Sequence, residues 1–374
     1  MTTTARIDRI ELRVIPLTLR ERFEISSGAR EARSILIVTV HGEGEMGWGE
    51  CVASEDPGYS YETTETAWHV LRDFLAPAVV GRGFHHPSEV LAPMAWVRGH
   101  PMAKAAIEMA TWELWSRLEE RPLAETLGGE LRSVPVGVSV GLQRDDAALA
   151  ERIERHLEEG YARIKLKIKP GRDVAMVETV RERFPEIALM VDANSAYTLD
   201  DLEHLRAFDA FDLMMVEQPL AHDDIRDHAI LQKRLKTPIC LDEAIRHAAD
   251  AMHALEVVAC GVINVKPGRV GGFTNALAIH DICRARKVPV WVGGMLESGI
   301  GRAHNVALAT LPGFTLPGDI SESRRYWHED LVEPEWEFSE PGRITPLASP
   351  GIGVRPKVDR IRAEAARTEV IEAS

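Results

Sequence analysis

Between residues 164 and 266 the chain repeats one arrangement: a short apolar run, a charged residue in or just after it, then an amphipathic stretch. The runs are Ile164-Lys165-Leu166-Lys167-Ile168, Leu189-Met190-Val191-Asp192, Met214-Met215-Val216-Glu217, Ile239-Cys240-Leu241-Asp242 and Val262-Ile263-Asn264-Val265-Lys266. The charges Lys167, Asp192, Glu217, Asp242 and Lys266 follow one another at spacings of 25, 25, 25 and 24 residues, a strand-plus-helix period. Apolar runs this short read as strands covered on both faces. Residues 173–184, 198–208, 223–235 and 247–257 carry helical spacing between them, and such alternation predicts a parallel sheet. An unpaired charge ending a buried strand would be very costly inside a core. At the rim of a (β/α) barrel the same position faces a shared ligand.

The flanking pattern completes the barrel. Residues 134–141 supply strand one, 288–292 with Gly293-Gly294 supply strand seven, and 314–319 form a short eighth, so that residues 131–320 close on themselves. Ahead of them, residues 7–15 alternate as a strand, while 34–40 and 46–52 flank Gly42-Glu43-Gly44-Glu45 as a hairpin. Residues 62–74 and 102–118 have helical periodicity. Residues 1–130 therefore read as a separate α+β domain, whose small-residue stretches 23–30 and 53–61 are candidate lid loops. From 321 to 374 the prolines at 334, 341, 346, 350 and 356 predict an irregular segment, ending in a helix over about 359–373.

Asp192, Glu217 and Asp242, on adjacent parallel strands, offer three oxygen ligands to one hard divalent cation such as Mg²⁺, which binds oxygen at about 2.0–2.1 Å and keeps positions for water and substrate. The bland alternative makes each acid a helix N-cap, but three in register favour the metal. Lys167 and Lys266, on strands two and six of eight, face each other across the mouth. One can remove the α-proton of a carboxylate held by the cation, and the other can return it to the opposite face, as a racemase requires. The enediolate formed needs the cation's charge. The base must also lose its proton near neutrality, from a reference pKa of about 10.4. Clustered cations depress such values, and Lys165 lies beside Lys167 as Arg269 does beside Lys266. Lys169 continues the alternation, but Pro170-Gly171 ends the strand and favours the pair Lys165 and Lys167.

A formal net charge of −14 weighs against nucleic acid or an anionic membrane as partner. The four cysteines (Cys51, Cys240, Cys260, Cys283) show no CxxC spacing and read as reduced core residues. No apolar run approaches the roughly 18 residues of a membrane span, and the expected location is the cytoplasm.

With these residues in view, the chain resembles the enolase superfamily, in its muconate cycloisomerase-like subgroup. The motifs are Lys165-x-Lys167, Val191-Asp192-Ala193-Asn194, Glu217-Gln218-Pro219, Asp242-Glu243 and Lys266-Pro267-Gly268-Arg269-Val270-Gly271-Gly272. The stretches 293–302 and 314–319 are most similar to the o-succinylbenzoate synthase / N-acylamino acid racemase family. The resemblance implies an N-terminal capping domain, a (β/α)₇β TIM-like barrel and a C-terminal segment that packs back on the cap. It implies Mg²⁺, or Mn²⁺ in its place, at Asp192, Glu217 and Asp242, with Lys167 and Lys266 as acid/base pair and Lys165 assisting. Asn194 and Glu243 would stand near the metal, and Ser139, Gly294, Met295 and Tyr326 would contact the substrate, with loops 23–30 and 46–54 over its side chain. The expected reaction is racemisation of N-acylamino acids, foremost N-succinylamino acids. The alternative is the o-succinylbenzoate synthase reaction, dehydration of 2-succinyl-6-hydroxy-2,4-cyclohexadiene-1-carboxylate in menaquinone biosynthesis. Muconate cycloisomerisation and dipeptide epimerisation fit less well. Epimerases of the subgroup carry Asp-x-Asp after strand eight to hold a free ammonium group, whereas this chain has Asp319-Ile320-Ser321. Relatives of this kind are often dimers or octamers.

Overall fold

The computed structural model describes residues 4–25 and 28–373. Its N-terminal part is a four-stranded antiparallel sheet in the order Arg367–Glu372, Arg9–Ile25, Gly28–Gly42, Glu45–Cys51. Glu43 and Gly44 both have positive φ (51° and 82°), as a two-residue turn between right-twisted strands requires. One sheet face, with Ile10, Leu12, Leu36, Val38 and Val40, packs on helix Pro101–Leu118 through Ala103, Ala106, Ile107, Ala110 and Leu114. The helix backbone lies directly on the strand: a Cβ at Gly47 or Gly49 would stand 2.0 or 2.1 Å from the carbonyl oxygen of Ala110 or Ala106. Only glycine permits that approach.

Two expectations are corrected here. The candidate lid at 23–30 is largely strand: Phe23, Glu24 and Ile25 pair with Arg30, Ala29 and Gly28, extending the two-stranded arm, and Ser26 and Ser27 lie outside the described residues. The C-terminal helix stops early, at Val358–Glu364, and Arg367–Glu372 is a strand paired antiparallel with Arg9–Val14. Thr368, Val370 and Ile371 are β-branched and fit a half-covered pleated edge. The C-terminal segment therefore completes the cap sheet itself.

Seven parallel strands follow in chain order: Gly137–Val140, Arg163–Lys167, Leu189–Asp192, Val216–Glu217, Ile239–Leu241, Val262–Val265 and Val290–Val292. Strand one begins later than its β-branched run suggests, because Val134–Pro135 pairs instead with Arg343–Ile344. Residues 314–319 close the ring. Phe314 bridges to Val290 and Gly318 to Val136, Gly137 N–H donates to Gly318 C=O at 2.8 Å and Asp319 N–H to Val292 C=O at 2.9 Å. The fold is thus a (β/α)₇β TIM-like barrel under an α+β cap, without an open edge. Among the described residues no helix is long and apolar enough to cross a membrane, and all four cysteines are buried and free.

Carboxylates from the cap seat it on the barrel. Glu108, fully buried, accepts from Phe273 N (2.7 Å), Thr274 N (2.8 Å) and Thr274 Oγ1 (2.6 Å) at the start of helix Phe273–Ala285. Glu50 accepts from Ser298 N, Ser298 Oγ and Gly301 N at the start of helix Gly299–Ala309. Each supplies acceptor oxygens where a helix leaves its amides unsatisfied, while burial pushes Glu50 up to about 8 and Glu108 up to about 7. Glu108→Ala is expected to lower the unfolding free energy in equilibrium urea denaturation by at least roughly 2 kcal/mol, since two buried amides lose their acceptor at about 1–3 kcal/mol each. A change within measurement error would show that Glu108 does not seat the cap.

Candidate active site

The strand register brings the predicted residues together. Lys167, Asp192 and Glu217 are direct neighbours across strands two, three and four. Asp242 and Lys266 follow the last residues of strands five and six. All five side chains are buried, the three acids to within 1 % of complete. Because strands two and six are four apart in a ring of eight, Lys167 and Lys266 reach the cluster from opposite walls.

Each charge has partners. Lys167 Nζ donates to Asp192 Oδ2 and Asn194 Oδ1, both at 2.7 Å. Lys266 Nζ donates to Asp242 Oδ2 at 2.7 Å and to the Tyr59 hydroxyl at 3.0 Å, and sits 4.6 Å from the Tyr59 ring centre. Lys165 Nζ lies 2.8 Å from Asp319, 3.1 Å from Glu217 and 3.3 Å from Asp192, over the Trp291 ring. Arg269 pairs with Asp242 and donates to the carbonyls of Ile245 (2.9 Å) and Asn264 (2.7 Å). Asn194 Nδ2 donates to Glu243 Oε1 at 3.1 Å, linking strands three and five.

The lysine protonation expected from cationic neighbours is not what this environment produces. Burial pulls Lys266 down, but Asp242 and Tyr59 outweigh it and hold its pKa above the ordinary value. Lys165 is raised in the same way, burial being overcome by Asp319, Glu217 and Asp192. For Lys266 the carboxylate across the strands acts more strongly than Arg269, the cationic neighbour expected to depress it. Asp242 stays low despite burial, held there by Lys266 and Arg269. Glu217 is pushed up to about 7 by burial and by Asp192, and Glu243 to about 8 by burial and by Asp242.

In this arrangement ammonium groups answer the acids, and among the described residues no three His, Cys, Asp or Glu side chains stand ready around one point to hold an ion. The donor chemistry nevertheless fits a hard divalent cation. Three buried carboxylates come from consecutive strand ends, and burial together with the neighbouring Asp192 keeps Glu217 raised despite Lys165 beside it. Bound there, a cation would take over part of the charge compensation now given by the lysines.

Local backbone is shaped for this cluster. Asn194, Ser195 and Gln218 have positive φ (43°, 63° and 36°) just past strands three and four, conformations that non-glycine residues adopt at a cost and that gather at functional sites. Gln218 Oε1 accepts from Asp242 N (3.0 Å) and Ala244 N (3.2 Å), fixing the end of strand five. A Cβ at Gly293 would collide with Asn264 Oδ1 at 2.2 Å and Lys266 Cε at 2.7 Å, so glycine there gives Lys266 its room.

The substrate contacts carried over by resemblance divide. Ser139 joins the cluster, donating to Asp319 Oδ2 at 3.0 Å, and Gly294 abuts the Asp319 backbone. Met295 packs with the cap's apolar core, and the Tyr326 ring centre is 5.4 Å from each of the Arg302 and Arg325 guanidinium carbons. Tyr59, Arg163, Asn264 and Asp319 are additions. Tyr59 comes from the cap loop after Cys51 and donates to Asp242 Oδ1 at 2.9 Å. Asn264 Nδ2 holds Glu217 Oε1 at 2.7 Å, and Arg163 pairs with Asp319 Oδ1 at 2.8 Å. Period-two spacing puts Arg163 on the same strand face as Lys165 and Lys167, a signal present in the sequence. Tyr59 left none.

Comparison with known proteins agrees with this architecture. Residues 9–128 match the family model described as mandelate racemase / muconate lactonizing enzyme, N-terminal domain, and residues 148–360 match enolase C-terminal domain-like. The chain is 49% identical over 365 residues to o-succinylbenzoate synthase of Bacillus subtilis, covering 97% of this chain and 98% of that protein. It is 48% identical over 359 residues to N-succinylamino acid racemase of Thermus thermophilus, covering 95% and 97%. An enolase superfamily member from Listeria innocua superposes with a TM-score of 0.95 at 40% identity, covering 98% of this chain and 99% of the other. A barrel with acids and lysines at successive strand ends, under a cap of matching family and joined to relatives nearly half identical along their whole length, belongs to the enolase superfamily, within its group of o-succinylbenzoate synthases and N-succinylamino acid racemases.

Proposed function

We propose that this enzyme racemises N-acylamino acids, foremost N-succinylamino acids, by proton transfer between two lysines. The observation that carries this reading is the placement of Lys167 and Lys266 on opposite walls of one carboxylate cluster, each ammonium 2.7 Å from a different acid. Asp192, Glu217 and Asp242 would hold the divalent cation, Mg²⁺ being general to the superfamily; when bound, it supplies the positive charge that favours loss of a proton next to a carboxylate. Lys167 and Lys266, on opposite walls, would address the two faces of the substrate's α-carbon. One removes the α-proton and the other delivers a proton from the opposite side, which inverts the centre. Lys165, fixed by Asp319 and Glu217, supplies the fixed positive charge beside Lys167. Tyr59 and Arg269 hold Lys266 and Asp242 in register.

The acyl preference follows from Asp319. Epimerases hold a free ammonium with two carboxylates after strand eight; here the second position is Ser321, and Asp319 is already neutralised by Arg163 and Lys165. No uncommitted negative charge remains at this motif for an ammonium group, and a neutral amide nitrogen suits it better.

A second reading has support of its own, since the relatives at 48–49% identity include proteins named o-succinylbenzoate synthase. In that dehydration Lys167 would remove the proton and then protonate the departing hydroxyl on the same face, with Lys266 acting by charge alone. Steady-state assays of the purified protein with N-succinylamino acids, N-acetylamino acids and the cyclohexadiene carboxylate separate the two.

Lys167→Ala and Lys266→Ala are each expected to lower racemisation by at least roughly 10³-fold, while each variant still exchanges the α-proton of one enantiomer in deuterated buffer, the two variants preferring opposite enantiomers. Wild-type racemisation by either variant would rule out the two-base route. Excess chelator is expected to abolish turnover and added Mg²⁺ to restore it; turnover undiminished in chelator would remove the cation from the reaction. Asp319→Asn is expected to cost roughly 3–5 kcal/mol of stability in urea unfolding, because Arg163 and Lys165 stay buried without their shared anion.

A further inference from the structure

Lys167 and Lys266 are held in matching ways that differ in one respect. Each ammonium donates to a carboxylate, Lys167 to Asp192 and Lys266 to Asp242, and to one neutral oxygen. That oxygen is Asn194 Oδ1 at 2.7 Å for Lys167 and the Tyr59 hydroxyl at 3.0 Å for Lys266. The two carboxylates would be shared with a cation, whereas the neutral oxygens would not. They are therefore the groups that aim each ammonium independently of what the acids hold.

What carries these oxygens is not the same. Asn194 belongs to the barrel, where its N–H donates to Asp192 Oδ1 at 3.0 Å and its Nδ2 to Glu243 Oε1 at 3.1 Å. Tyr59 belongs to a loop of the cap. The ends of that loop are pinned: Ser54 bridges to Thr63, Thr64 N–H donates to Ser54 C=O at 2.7 Å, and Glu62 accepts from Met102 N and Ala103 N at 2.8 and 3.0 Å. Between them residues 55–58 are exposed, and a cleft of about 330 Å³ lies between the loop and Asn194, Ser195 and Glu243. Exposed segments with few packing contacts are the ones that rearrange at least cost. From this loop the Tyr59 hydroxyl spends its hydrogen on Asp242 Oδ1 at 2.9 Å and a lone pair on Lys266, while its ring centre stands 4.6 Å from the same ammonium.

We propose that Tyr59 is a positioning residue for Lys266 and not for Lys167, so that one of the two directions of α-proton removal depends on the cap loop while the other is fixed within the barrel. The proposal rests on the two-lysine reading above. With the loop seated, a hydroxyl and a ring face aim Lys266 Nζ. With the loop displaced both are withdrawn, and Lys167 still keeps Asn194. Misplacing a reacting group by about 1 Å can cost on the order of 10²-fold in rate. Covering the mouth and aiming one of the bases thus become a single event, although inversion in either direction uses both lysines.

The test is the initial rate of α-proton exchange for each enantiomer of one N-succinylamino acid in deuterated buffer with saturating Mg²⁺, followed by proton NMR for the wild type, Lys266→Ala and Tyr59→Phe. Lys266→Ala identifies the enantiomer that Lys266 deprotonates as the one whose exchange is lost. Tyr59→Phe keeps the ring and removes the hydroxyl alone. It is expected to slow exchange of that same enantiomer at least about tenfold more than exchange of its mirror image. A disturbance passed to the cation through Asp242, or a general loosening of the fold, slows both enantiomers alike and drops out of this ratio. Equal slowing of the two, no slowing, or greater slowing of the other enantiomer would each overturn the role assigned to Tyr59. Failure of Lys266→Ala to separate the enantiomers would instead overturn the two-lysine reading, and the assignment of Tyr59 with it.

Discussion

Charge buried at the mouth of the barrel has to be matched, and most of the unusual features of this chain follow from that constraint. Asp192, Glu217, Asp242 and Asp319 are all buried, together with Lys165, Lys167, Lys266, Arg163 and Arg269. A single unmatched member would cost several kcal/mol, so the sequence supplies each with a partner at hydrogen-bond distance. The same condition makes the site responsive: a divalent cation held by the acids would compete with Lys167 and Lys266 for the same oxygens. Pairing that stabilises the cluster also holds Lys165 and Lys266 protonated, so the basicity of Lys266 depends on what Asp242 is paired with.

The supporting groups form a connected frame. Asn264 holds one oxygen of Glu217 while Lys165 holds the other, Gln218 fixes the amides around Asp242, and Asn194 ties Lys167 to Glu243. None of these contacts is large by itself. Together they fix the orientation of the charged groups, which is the preorganisation that electrostatic catalysis relies on. Beneath them Trp291 and the small cluster of Met190, Met215, Cys240 and Val262 fill the barrel interior and keep it dry.

The rim residues were legible because their signal is local. A charge at the end of each apolar run, repeated at one period, can be explained only by a shared face, and the strand register follows it closely. The failures have equally local causes. Arg367–Glu372 carries too short an alternation to separate a strand from a frayed helix end, and only the strand Arg9–Ile25 beside it settles the matter. The lysine environment was misjudged because sequence neighbours such as Lys165 and Arg269 are visible in a chain, whereas Asp242 facing Lys266 is a neighbour only in space. Tyr59 lies 183 residues from Asp242, and no periodicity connects a loop tyrosine to a strand end that remote. Asn264, a polar residue inside an otherwise apolar strand, did carry a signal, since such a group needs a buried partner.

Glu50 and Glu108 have a consequence for how the molecule can move. Swinging the cap away from the barrel would expose the bare amino ends of two helices at once, and would also withdraw the Tyr59 hydroxyl from Lys266. Entry and exit of a substrate by hinged opening of the whole domain is therefore the expensive route. Traffic through the mouth falls to rearrangement of the polypeptide bordering it, such as the stretch bearing Tyr59, which can change shape while both helix ends stay sealed.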